Sequence, residues 1–282
     1  MARVGTFVRT LSLFAALAMM VPVVPALGAT GKPATTVSKP SGKTPLRYRD
    51  PVFPRVSVQR DIGYAGDQGL DLYTPAGDRG RNRPAVVWIH GGGFRAGSKA
   101  NRNVVELATA FAQRGYVAAS INYRLLAQGV VCGGTPTPPP QCAGAALAAK
   151  QDAQAAVDWL RVHARGLRIN PRRIAVGGTS AGAVTSLLLA ADPASRVGAA
   201  VSISGFLPGA SFTRADAPTL FFQGTDDRTI SYTGAKATAD AMARAGVPVV
   251  FETLQGAGHV PWQYRNRFIT HSAYFLFAEL KL

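Results

Sequence analysis

The stretch from Ile174 to Val184 constrains the fold of this chain more than any other. An apolar run, Ile174-Ala175-Val176, leads into Gly178-Thr179-Ser180-Ala181-Gly182 and then into a helix-forming segment that reaches about Ala191. Its spacing reads as a buried strand, a sharp turn and a helix. A serine on such a turn projects its hydroxyl above a sheet, and glycines two residues before and after it let the backbone fold that tightly. Thr179 and Ala181 are small enough not to block the turn. The helix that follows turns its N-terminal N–H groups and positive dipole end toward the serine, which suits a developing oxyanion.

The rest of the chain repeats this grammar. Strands are expected at Val56–Ile62, Leu70–Thr74, Ala85–Ile89, Tyr116–Asn122, Arg173–Gly177, Ala199–Ser204, Thr219–Gln223 and Val249–Leu254. Helices are expected at about 100–114, 147–165, 232–245 and 263–280, besides the one after Ser180. The first two strands form a meander around Ala65-Gly66-Asp67-Gln68-Gly69, whereas Ala85–Ile89 is apolar throughout, as befits a strand covered on both faces. Apolar strands alternating with helices specify an α/β fold: a mostly parallel central sheet of about eight strands with helices on both faces. In such sheets, sites form beyond the carboxyl ends of the strands.

The residues suited to chemistry all fall just after strands. A serine hydroxyl needs a base, and the base needs an orienting carboxylate. Of the four histidines, His259 lies on the Gly-rich loop Gly256-Ala257-Gly258-His259 that follows the last strand. His163 reads as a solvated helix residue, and His271 as a packing or surface residue. The strand at Thr219–Gln223 ends in Gly224-Thr225-Asp226-Asp227, so either aspartate can serve as the acid. The order serine, acid, histidine is the one expected of α/β-hydrolases. His90-Gly91-Gly92-Gly93-Phe94 follows the strand ending at Ile89. Its glycines let backbone N–H groups face a substrate oxygen, with Gly92 and Gly93 as the expected donors, Gly91 a further one, and the N–H of Ala181 completing the hole. His90 reads as a residue that positions this loop. No second His or Cys stands at metal-ligand spacing from it, so no metal site is expected.

Taken together, His90-Gly91-Gly92-Gly93-Phe94, Asn122-Tyr123-Arg124-Leu125, Asp152 through Trp159-Leu160, Gly178-Thr179-Ser180-Ala181-Gly182, Gly224-Thr225-Asp226-Asp227 and Gly258-His259 resemble the α/β-hydrolase esterase/lipase family with an HGGG oxyanion loop. The resemblance spans about residues 56 to 282. In that family the acid is usually the third residue after the glycine ending its strand, which implies Asp227 and leaves Asp226 as a turn residue. It further implies carboxylic ester hydrolysis, with Ser180 as nucleophile, His259 as proton shuttle, Asp227 as its orienter and no cofactor. The chain departs from relatives that carry a helical cap or a greasy lid: the segment before the first strand is unpatterned and the insertion from Gly205 to Pro218 is brief. An open site for short or soluble esters, small or polymer-borne, is therefore expected. The alternatives are an amide-cleaving member of the fold, arylformamidase- or peptidase-like, and a catalytically silent binding protein.

Composition bounds the setting. Arg3 and Arg9, the apolar run Leu11–Val24 and the small residues Ala26-Leu27-Gly28-Ala29 read as a signal peptide over residues 1–28, cut after Gly28 or Ala29, and so as a secreted or periplasmic protein. Pro22 and the shortness of the run argue against a membrane-spanning helix. Residues 29–56, rich in Lys, Pro, Thr and Ser, read as a linker or extended lead-in to a catalytic domain at 57–282. Cys132 and Cys142 bracket a Pro-rich loop and, in an exported chain, are expected to form a disulfide. The formal net charge of +16 comes from arginines scattered in ones and twos, as at Arg79-Arg81-Arg83 and Arg172-Arg173. Without a cluster, interleaved aromatics or a recognisable module, this reads as a solvated basic surface and not as a nucleic-acid interface.

Overall fold

The computed structural model describes residues 44–126, 132 and 140–282. The expected signal peptide and the Pro-rich core of the loop between the cysteines lie outside the described residues. The chain runs β1 (Val56–Ala65), β2 (Gln68–Pro75), β3 (Arg83–Ile89), α1 (Arg102–Ala112), β4 (Val117–Ile121), α2 (Pro140–Val162), α3 (Ala164–Leu167), β5 (Ile169–Thr179), α4 (Ala181–Ala190), β6 (Ala199–Ile203), β7 (Thr219–Gly224), α5 (Tyr232–Arg244), β8 (Val249–Leu254) and α6 (Arg265–Glu279). The strands form one eight-stranded sheet in the order β1-β2-β4-β3-β5-β6-β7-β8. The pairs β1–β2 and β2–β4 are antiparallel, and every other neighbouring pair is parallel.

The sheet divides the core in two, because successive side chains of a strand point to opposite faces. Val87 of β3 packs with Val157 of α2, Leu188 of α4 and Met242 of α5 on one face. Its neighbours Val86 and Trp88 pack with Leu107 and Phe111 of α1 and Phe268 and Leu276 of α6 on the other. All residues of β3, β4, β6 and β7 are buried, as strands covered on both faces must be. The antiparallel edge strand β1 is largely exposed.

Three boundaries differ from the sequence expectation. Helix α2 begins at Pro140, ahead of the expected Leu147, so Cys142 sits in its first turn and not in a free loop. Proline is tolerated there because the first helical N–H groups have no intrahelical partner. Strand β5 begins at Ile169, which pairs with Arg83, while Ile174 pairs with Ala85, so residues 170–173 bulge out of the ladder. The lead-in is not a loose tether over 44–55. Tyr48 N–H donates to Arg114 O at 2.7 Å and Phe53 N–H to Gln113 O at 2.9 Å, while Arg47 pairs with Asp78 at 2.5 Å. Residues 205–218 contain no helix or strand and build no cap.

Candidate active site

The turn that carries Ser180 is assembled by steric exclusion. Ser180 links β5 to α4 with φ 54° and ψ −119°, a left-handed backbone that few non-glycine residues adopt. Its N–H donates to Ile203 O of β6 at 2.9 Å. A methyl group on Gly182 would lie 2.1 Å from Ile89 O, and one on Gly178 would lie 2.4 Å from the Gly182 carbonyl carbon. Both glycines are therefore required by close backbone approach, and β5, α4 and the end of β3 interlock at this point.

His259 is held differently. Its Nε2 lies 2.8 Å from Ser180 Oγ and its Nδ1 lies 2.8 Å from Asp227 Oδ2. The Asp227 side chain is fully buried, whereas that of His259 is a quarter exposed. Asp227 Oδ1 also accepts from the N–H groups of Thr229 and Ile230, each at 2.9 Å. Burial disfavours the charged carboxylate, but the hydrogen bond from His259 and those from the backbone outweigh it, so the Asp227 carboxyl is held below its ordinary range. The local backbone bonds of this turn are made by Asp227, and Asp226, expected as a turn residue, accepts from Thr225 Oγ1 at 2.9 Å through its carboxylate.

The glycine loop lies beside the serine. A methyl on Gly91 would stand 3.2 Å from Ser180 Cβ, while one on Gly92, at φ 118°, would strike Ala96 O at 2.0 Å. Gly93 adopts φ 62°. Among the described residues, the N–H groups of Gly92, Gly93 and Ala181 donate to no protein acceptor. His90 is buried beneath this loop, stacked on Tyr123 at 4.3 Å, with Nδ1 2.6 Å from Gly91 O. Burial lowers its pKa to about 4 against the raising effect of that hydrogen bond, so the ring is neutral.

Three further residues escaped the sequence. Ser204, buried at φ 58°, accepts from Val260 N–H at 3.0 Å. Gln223 Nε2 donates to Asp227 Oδ2 at 2.9 Å and to Ile230 O at 2.9 Å. Glu106 of α1 accepts from Trp262 Nε1 at 2.9 Å, tying α1 to the segment after His259. The signal available for Ser204 and Gln223 was their place at the carboxyl ends of β6 and β7. Of the aromatic residues near these loops, Trp262 is engaged with Glu106, Phe94 is buried against Tyr123, and the Phe206 ring lies against Gly234 of α5. His163 stacks on Trp159 and His271 pairs with Glu252, both away from the serine. Cys132 and Cys142 are joined in a disulfide with a Cα–Cα distance of 5.6 Å. Among the described residues, no group of three or more His, Cys, Asp or Glu could hold a metal ion, and no helix is long and apolar enough to cross a membrane.

Comparison with known proteins converges on one group. The BD-FAE family model matches residues 70–207. Carboxylesterase NlhH of Mycobacterium tuberculosis is 34% identical over 148 residues, 51% of this chain and 41% of that protein. The chain has the α/β-hydrolase fold, and the relatives it matches include carboxylesterases. Phenmedipham hydrolase of Pseudarthrobacter oxydans is 36% identical over 129 residues, 45% of this chain and 24% of that protein. The α/β-hydrolase described here therefore spans less than half the length of these relatives in the matched region. Its fold is shared with a thermophilic esterase, Est2 of Thermogutta terrifontis, at a TM-score of 0.64 and 23% identity over 83% of this chain and 95% of that one. It is shared also with MGS-M1, an alpha/beta hydrolase enzyme from a deep-sea metagenome library, at a TM-score of 0.65 and 21% identity over 82% of this chain and 100% of that one.

Proposed function

We propose that this chain is an exported serine hydrolase that cleaves carboxylic esters through an acyl-enzyme. The observation that carries the reading is the continuous hydrogen-bonded series Ser180–His259–Asp227, with both links at 2.8 Å, at the carboxyl ends of parallel strands. His259 Nε2 takes the Ser180 proton as Oγ attacks the ester carbonyl, and returns it to the departing alcohol oxygen. The buried Asp227 holds Nδ1–H, fixes the tautomer and stabilises the imidazolium. The N–H groups of Gly92, Gly93 and Ala181 receive the carbonyl oxygen as it becomes an oxyanion. Water, activated by the same histidine, then hydrolyses the acyl-serine and releases the acid.

The absence of helix or strand over 205–218 supports an open site and so short or soluble acyl groups, free or carried on a polymer. The disulfide supports an oxidising compartment and hence export. The test is hydrolysis of p-nitrophenyl esters from acetate to palmitate, alongside matched anilides, by the wild type and by Ser180→Ala. Activity greatest on short acyl chains and lost in the variant is expected. A preference that rises beyond about ten acyl carbons would refute the open site, and faster cleavage of the anilides would transfer the reading to amides.

A further inference from the structure

The arginines that look scattered along the sequence are collected by the topology. The carboxyl ends of the parallel strands face the Ser180 site, so residues immediately before those strands gather at the opposite, amino end. Arg81 precedes β3, Arg168 precedes β5, Arg196 precedes β6, Arg214 precedes β7 and Arg244 precedes β8, while Arg172 stands on the bulge of β5. These strands are consecutive neighbours in the sheet, so at the usual spacing between strands the row spans about 19 Å. All six are exposed, and among the described residues none of their guanidinium groups meets a carboxylate. Of the acids at this end, Asp78 is engaged with Arg47 and Arg83, Asp158 with Arg161, Asp192 with Lys150 and the buried Asp216 with Thr213, while Glu279, at the end of α6, makes no ion pair with any of the six arginines.

We infer that this amino-end face docks an extended anionic polysaccharide, one bearing carboxylate or sulfate groups, while the opposite end remains free for the reaction. Guanidinium groups pair with such oxyanions through two parallel N–H bonds, and a row of them without acidic partners leaves that capacity unused. With the export proposed above, for which the disulfide is the support, an extracellular polymer is favoured over nucleic acid. A bilayer is disfavoured because, among the described residues, the exposed large apolar side chains near this face are Val162 at 81% and Leu46 and Val250 at 44% each, isolated from one another and too few to anchor in lipid.

The inference rests on the proposed export but not on the proposed chemistry, and its test uses de-esterified polymer and reads binding alone, so failure of the hydrolysis assay and failure of binding are distinguishable. Binding of the protein to polygalacturonate, dextran sulfate, neutral dextran, duplex DNA and phosphatidylglycerol vesicles is compared at low and moderate salt. Two variants of equal charge are measured beside the wild type: Arg172→Gln/Arg196→Gln on the row, and Arg95→Gln/Arg228→Gln, two exposed arginines at the carboxyl end. Salt-sensitive binding to polygalacturonate or dextran sulfate is expected, weakened about tenfold by the row variant, which corresponds to about 1.4 kcal/mol, and less than twofold by the other. Preference for polygalacturonate identifies carboxylate as the ligand group, and preference for dextran sulfate identifies sulfate. Equal weakening by both variants would reduce the effect to net charge and overturn the inference. So would absence of binding to both polysaccharides, or tighter binding to DNA or vesicles.

Discussion

The turn that carries Ser180 and the loop that carries His259 reach the same site by different physical means. The serine turn is enclosed: Gly178 and Gly182 lie too near Ile89 and each other to accept a methyl group, and the backbone of Ser180 is bent into a left-handed conformation. The histidine loop is tethered by a handful of hydrogen bonds, Asp227 to the ring, Ser204 to Val260 and Glu106 to Trp262. Packing of backbone against backbone leaves one geometry, whereas tethers can be lengthened one at a time. Damage to the serine turn should therefore appear as lost stability, and damage to the histidine loop as lost rate in a folded protein.

The contrast can be broken in several ways. Removing the proposed nucleophile in Ser180→Ala should lower ester turnover by about 10⁴-fold to 10⁶-fold with an unchanged circular dichroism spectrum. Residual turnover within tenfold of wild type would place the nucleophile elsewhere. Asp227→Asn, which keeps the shape but loses the charge that fixes the histidine tautomer, should reduce kcat by about 10³-fold to 10⁴-fold; a smaller drop than in Ser204→Ala would reverse the two roles. Gly182→Ala should cost about 3 kcal/mol or more, because neither Ile89 O nor the carbonyl of His90 can retreat, and its urea midpoint gives the value. A full-stability variant would show that the turn is not sterically enclosed.

His90, under the same turn, supplies a pH test. Its ring takes up a proton near pH 6.5 when unfolded but only near 4 when folded, burial being the cause. The stability of the neutral, buried ring is thus complete above about 6.5 and lost as pH falls toward 4, on the order of 3 kcal/mol in all. Urea midpoints between pH 7 and 4.5 should fall more steeply for the wild type than for His90→Gln, and equal slopes would remove His90 from the account. The smallest effect is expected at the tether: Ser204→Ala should lower kcat about tenfold, with KM and urea midpoint nearly unchanged. A fall in stability matching the fall in rate would make Ser204 an ordinary core hydroxyl.

These pairings explain what could be read from the sequence. Ser180, His259 and the aspartates stand directly after apolar runs, so strand periodicity alone locates them at one end of a sheet, and the glycine spacing around Ser180 reports the turn. Ser204 acts through a hydrogen bond from Val260, 56 residues away, Gln223 through side-chain bonds to the turn that follows its own strand, and Glu106 meets Trp262 across 156 residues; none of these leaves a periodic trace. The start of α2 was hidden because a run of prolines before Gln141 has the composition of a loop, although Pro140 is compatible with a first helical turn. The amino-end arginines were visible individually, but only the strand order makes them neighbours.

The left-handed backbone of Ser180 carries one more consequence. Glycine would occupy φ 54° without strain, so the residue that suits the turn best is one that cannot react. A population of this chain screened only for thermal resistance should drift toward glycine at position 180, growing hardier as it falls silent.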